Sequence, residues 1–146
     1  MKQSMNRVET ALQLYRNGFN CAQSVLGAFA EAYGLPEETA LQLACGLGGG
    51  LRSGEVCGAI SGAALVVGLK YGHCRAGDRE AKQLCYAKTV ELMEQFRARK
   101  GVVCCRDILG CDLSTPEGRE KAKDQFQTTC VGMVETAVCL LEELGY

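Results

Sequence analysis

The sequence predicts an all-α fold: a compact single-domain helical bundle over residues 1–146, with about five to seven helices around a central Gly/Ala-rich helix. Three observations lead there. No segment sustains the alternation of apolar and polar residues that a half-buried strand needs, and only Val102-Val103 hints at one. Apolar positions recur instead at helical spacing along most of the chain. Residues suited to starting and stopping helices stand at the ends of those runs.

Val8, Ala11, Leu12 and Tyr15 mark the first helix, which Gly18 stops after Asn17. Asn20-Cys21-Ala22-Gln23 starts the second. Asn20 serves as cap, Gln23 completes a capping box, and Cys21 is the first helical residue. Its stripe of Ala22, Val25, Leu26, Phe29 and Ala32 runs to Tyr33 before Gly34. Pro36, Glu37 and Glu38 suit the start of a short third helix that reaches Cys45. The glycine-rich run Gly46 to Gly54 is too flexible for a helix and free to take positive φ angles that aim backbone amides inward. From Cys57 a continuous run of small and branched apolar residues forms the central helix, to about Tyr71. A long charged helix extends from Asp78 to about Lys100, with Cys85, Thr89, Leu92 and Phe96 on one face, and Gly101 closes it. Cys105 opens a short helical turn. Ser114-Thr115-Pro116-Glu117 starts a polar helix toward Gln125, and Thr128-Thr129-Cys130 begins the last helix, striped by Val134, Ala137, Leu141 and Leu144.

A chain of 146 residues can bury a full core without staples, so its ten cysteines are not needed for size. The polar opening Met1-Lys2-Gln3-Ser4-Met5-Asn6-Arg7 lacks the apolar centre of a secretion signal, which makes a reducing cytoplasm the expected compartment. In that compartment cysteine-rich sequence points to metal binding or catalysis before a disulfide scaffold. A formal charge of −1, with Lys and Arg between Lys70 and Lys100 interleaved with acids, gives no nucleic-acid patch. The longest apolar run, Val56 to Leu69, falls short of the roughly 20 residues a membrane span requires. No membrane and no nucleic acid are expected as partners. The spacing Gly58-x-x-x-Gly62 lets a second helix approach closely, from the same chain or, in a homodimer, from a second subunit; packing within the chain is the simpler expectation.

Cys57 is the first reactive residue to explain, because it stands where a glycine loop becomes an apolar helix. Unpaired N–H groups and the positive end of the helix dipole would favour its thiolate, which is both nucleophile and metal ligand. A small thiol filling a core site is the competing reading. Cys21, Cys105 and Cys130 share the helix-start placement. Four such sulfurs, if their helix starts meet, could surround a cationic cluster. None of them belongs to a short cysteine pair of the ferredoxin or zinc-ribbon kind, so local spacing says little about a metal. His73-Cys74 could ligate only if other donors converged on it.

Cys21, the run Cys57-Gly58-Ala59-Ile60-Ser61-Gly62, Cys105 and Cys130 resemble the signature of the C_GCAxxG_C_C family of redox-active proteins, and the similarity covers nearly the whole chain. The family label writes Gly-Cys where this chain has Cys57-Gly58, and Cys104 competes with Cys105 for the third position; Cys105 is preferred because it directly precedes Arg106. The resemblance implies a redox role and leaves its chemistry open. In one mechanism Cys21, Cys57, Cys105 and Cys130 ligate an iron–sulfur cluster, most plausibly [2Fe–2S], which passes electrons to an unidentified redox partner protein, with Arg52 and Arg106 offsetting anionic charge. In the other, Cys57 attacks and Cys105 resolves, in thiol–disulfide exchange or as a persulfide carrier. A third reading, a non-catalytic adaptor, pairs two copies through the Gly58/Gly62 face. The cluster reading is preferred, because four matched helix-start cysteines exceed what a dithiol needs.

Overall fold

A computed structural model describes residues 6–146; the first five positions of the polar opening lie outside them. Eight α-helices carry the fold: α1 Arg7–Arg16, α2 Cys21–Ala30, α3 Glu37–Ala44, α4 Gly58–Tyr71, α5 Arg79–Lys100, α6 Cys105–Leu109, α7 Pro116–Ala122 and α8 Thr129–Glu143. The all-α expectation holds. The count exceeds seven because the sequence divides the region after α5 into two short helices, α6 and α7, before the last long one. Among the described residues no strand forms; next to Val102-Val103 there is only an isolated antiparallel bridge between Val56 and Cys104, flanked by the Val103 carbonyl. No described helix is long and apolar enough to cross a membrane.

The helix boundaries follow their caps. Asn20 caps α2 by accepting the Gln23 amide at 3.0 Å, while the Gln23 side chain accepts the Asn20 amide at 2.9 Å, which completes the capping box. A second box, Asn6 with Glu9, starts α1. Thr115 caps α7 with Pro116 in its first turn. Beyond Ala30 the second helix tightens into a 3₁₀ turn, Glu31–Tyr33, and ends at left-handed Gly34.

Two hydrophobic clusters result. In the larger, α2 packs against α1, α3, α4 and α8, and α4 also packs against α5 and α8. Phe29, Phe96, Leu26, Ile60 and Leu92 are fully buried there, each contributing roughly 1.5–3 kcal/mol of transfer free energy. The smaller cluster joins Leu109, Leu113 and Ala122 from α6, α7 and their connection. The Gly58/Gly62 face of α4 meets α2 of the same chain. A Cβ added at Gly62 would lie 2.7 Å from the Ala22 carbonyl oxygen, so the two backbones touch along this line. α2 therefore occupies the face that a glycine-mediated dimer would use.

Candidate functional site

The site lies on the seam between the two clusters. Cys57 belongs to the larger one, Cys105 and Cys130 to the smaller, and Cys21 packs against both. All four line one cavity of about 280 Å³. Each comes from a helix start: Cys21 and Cys105 are the first residues of α2 and α6, Cys57 is the N-cap of α4, and Cys130 is the second residue of α8. Of the vicinal pair, Cys105 and not Cys104 faces the cavity.

The bridge explains how two distant cysteines are set side by side. The Cys57 amide donates to the Val103 carbonyl at 2.8 Å and the Cys105 amide to the Glu55 carbonyl at 2.6 Å, on either side of the Val56–Cys104 pair. An Arg106–Glu55 ion pair at 2.7 Å adds a side-chain tie. On the other side, Asn20 donates to the Cys45 carbonyl at 2.9 Å and so fixes the start of α2 against the turn that enters the glycine loop.

That loop departs from the sequence expectation in one respect. Gly49, Gly50 and Gly54 take positive φ, as glycines can, but so do Leu51 at 61° and Arg52 at 57°. The left-handed region costs a residue with a side chain roughly 1–2 kcal/mol. The turn is held by the Glu55 amide donating to the Gly50 carbonyl at 3.1 Å and by Gly54 packed against the Arg106 Cβ. It leaves Arg52 lining the cysteine cavity.

Two opposing influences act on the Cys57 thiol. Burial pushes its thiol up to about 11, against the amides of Ala59 and Ile60, which draw it the other way. Cys57 lines the cavity with 5 % of its surface exposed, and its raised thiol keeps its proton at neutral pH while no cation compensates the charge. Cys105 rises to about 12, chiefly by burial and then by its neighbours Cys57 and Cys130, with Arg52 opposing. Cys21 is raised well above its ordinary value, first by the neighbouring Cys130 thiol and then by burial. Of the four, Cys130 alone is lowered: the neighbouring Cys21 thiol draws it down, burial opposes, and the Tyr15 hydroxyl adds a smaller downward pull. Helix starts do help at Cys57, but desolvation of the thiolate is the larger effect.

Tyr15 is a site residue that sequence reasoning placed only in the core stripe of the first helix. Its hydroxyl donates to the Phe126 carbonyl at 2.6 Å and its ring lines the cavity. No local signal could reveal this, since its partner is 111 residues away. His73 and Cys74 are exposed, and Cys45 is exposed in the turn that enters the glycine loop. Cys111 hydrogen-bonds the Leu109 carbonyl at 3.3 Å. Among the described residues no three His, Cys, Asp or Glu side chains are gathered tightly enough to hold a single metal ion. The four sulfurs surround a space instead of converging on a point.

No curated protein and no solved structure matches the chain. One family does match, over residues 19–144, described as "Putative redox-active protein (C_GCAxxG_C_C)". The motif that names it puts cysteine after glycine, whereas here Cys57 precedes Gly58, and both residues line the cavity. With the match running from just before Cys21 to the end of α8, the chain belongs to the C_GCAxxG_C_C family of redox-active proteins.

Proposed function

We propose that this chain is a redox protein that holds an iron–sulfur cluster of the [2Fe–2S] type through Cys21, Cys57, Cys105 and Cys130 and passes electrons one at a time to a partner protein. The observation that carries the reading is that four helix starts bring four thiols to one cavity. A cluster supplies one-electron chemistry and a cationic iron core for thiolate ligands. The chain's residues suit that task. Cys21, Cys57 and Cys105 resist ionisation while the cavity holds no cation, because their charge would be desolvated and uncompensated. The four thiols would lose that penalty, and release their protons, on ligating a cationic iron core. The amides of Ala59 and Ile60, at the start of α4, draw the Cys57 thiol down and would favour a ligating thiolate there. Burial of Cys57, Cys105 and Cys130 keeps water from the sulfurs.

Metal and acid-labile sulfide content, with the visible spectrum of anaerobically purified and reconstituted protein, tests the proposal. Iron and sulfide in equal amounts are expected, and they should be lost in Cys57→Ser. Colourless protein after reconstitution would end the cluster reading.

The Cys21 and Cys130 thiols, which line one cavity and shift each other's ionisation in opposite directions, favour a second mechanism, thiol–disulfide exchange with a different pair from the one the sequence suggested. Cys130, as thiolate, would attack one sulfur of a disulfide substrate, breaking its S–S bond and releasing one thiolate. Cys21, giving up its proton, would then attack the Cys130 sulfur of the mixed disulfide and release the second. Two electrons pass to the substrate as the Cys21–Cys130 bond forms. Mild oxidation of metal-free protein followed by peptide mapping distinguishes this pair from Cys57–Cys105.

A further inference from the structure

Besides its four cysteines, the cavity is lined by one charged side chain. Among the described residues that line it, Arg52 is the only Lys, Arg, Asp or Glu. The two arginines that the sequence offered as counter-charges are thereby separated. Arg106 pairs with Glu55 and lies outside the cavity lining, while Arg52 forms no ion pair among the described residues. The Arg52 guanidinium folds back over Gly49, where its Nη1 would lie 3.2 Å from an added Cβ. Two consecutive left-handed residues with side chains, Leu51 and Arg52, are needed to turn it there. Backbone strain of this kind persists where surrounding structure enforces it, and it gathers at functional sites.

We propose that Arg52 is the counter-charge of the four-cysteine centre: a positioning residue whose guanidinium stabilises whichever state places more negative charge on the sulfurs. This rests on the reading that redox chemistry occurs at these sulfurs, and it applies to thiolates and to a cluster alike. In the cluster case the added electron makes the reduced state the more negative one, so Arg52 favours reduction. Replacing it with a neutral residue shifts the midpoint potential downward. A tenfold change in that one-electron equilibrium corresponds to about 59 mV.

The first test needs no cluster. Metal-free protein is alkylated with iodoacetate, an anion, and with iodoacetamide, which is neutral, and the two rates at each of the four cavity cysteines are read by peptide mass spectrometry. Both reagents attack the same thiolate, so their rate ratio cancels the thiolate fraction and reports the local potential. Arg52→Gln is expected to lower the iodoacetate-to-iodoacetamide ratio about threefold or more. Arg52→Lys should retain most of the ratio, and Arg97→Gln, exposed on the last turn of α5, should leave it unchanged. An unchanged ratio in Arg52→Gln, with the fold intact by circular dichroism, overturns the proposal. The second test measures the midpoint potential of iron-loaded protein, which should fall in Arg52→Gln. A lowered ratio in protein that never binds iron would leave the counter-charge standing and remove the cluster. Iron-loaded protein whose ratio and potential both ignore Arg52→Gln would do the reverse.

Discussion

Gly50 decides whether the glycine loop can form at all. It sits at φ 62°, and a methyl group there would overlap the carbonyl oxygen and amide nitrogen of Glu55, which are backbone and cannot swing aside. Gly50→Ala should therefore cost at least about 1–2 kcal/mol, lower the thermal midpoint by several degrees, and detach Arg52 and Cys57 from their present geometry. A thermal melt indistinguishable from wild type would mean that the loop has another conformation available. Tyr15 gives a second prediction at this scale. Tyr15→Phe removes the hydroxyl that donates to Phe126 and helps to lower Cys130, so the pH midpoint for alkylating Cys130 in metal-free protein should move up. The loss in stability should be about 1 kcal/mol, from the broken hydrogen bond. The sequence showed that this loop is irregular, because glycines are numerous in it. It did not show that Leu51 and Arg52 adopt the glycine conformation, since their own preference opposes it and only the clamp from Glu55 and Arg106 overrides that preference.

Helices α2 and α4 are the elements whose contact sets the distance between Cys21 and Cys57. Both sulfur-bearing ends lie close to the Gly58/Gly62 line, where a Cβ at Gly58 would already come within 3.5 Å of the Cys21 Cβ. Gly62→Ala puts a methyl group 2.7 Å from the Ala22 carbonyl oxygen, so the helices must separate; a destabilisation of about 1–3 kcal/mol is expected, with weakened iron binding. Gly68, on the same helix, has no neighbour within 4 Å of an added Cβ, and Gly68→Ala should stabilise by about 0.5–1 kcal/mol through helix propensity alone. Opposite signs for the two variants in urea melts would show that close approach, and not glycine content, matters in α4. If both substitutions stabilised the protein, the α2–α4 contact would be looser than described. Element starts were legible from sequence because caps are local: Asn20 and Gln23 stand three residues apart and the box forms as their types require. The partner of the glycine face was not, because the spacing is equally compatible with a helix from the same chain and one from another.

At the scale of the molecule, the meeting of four helix starts depends on contacts that no local pattern encodes. One isolated bridge, Val56 to Cys104, aligns Cys57 with Cys105, and Val102-Val103 offered only a faint sign of it. The convergence has a consequence for stability. In the metal-free protein Cys57 titrates near 11 and Cys105 near 12, both raised from an ordinary value of 9.0, chiefly by burial. A raised thiol pKa means that the folded state holds its proton after the unfolded chain has released it. The associated stability is complete below about pH 9 and is lost as pH climbs through 11 to 12. For Cys57 alone the loss by pH 10.5 is about 2 kcal/mol. Urea melts of metal-free protein at pH 8 and pH 10.5 should show the decline, and Cys57→Ala should start less stable but fall less steeply. Stability that stays level across this interval in the wild type would contradict the buried, protonated thiols. Iron-loaded protein should show little of the slope, because ligated sulfurs have already lost their protons and their charge is compensated. The pH profile thus separates a cavity holding four protonated thiols from one holding four ligands, using the fold itself as the indicator.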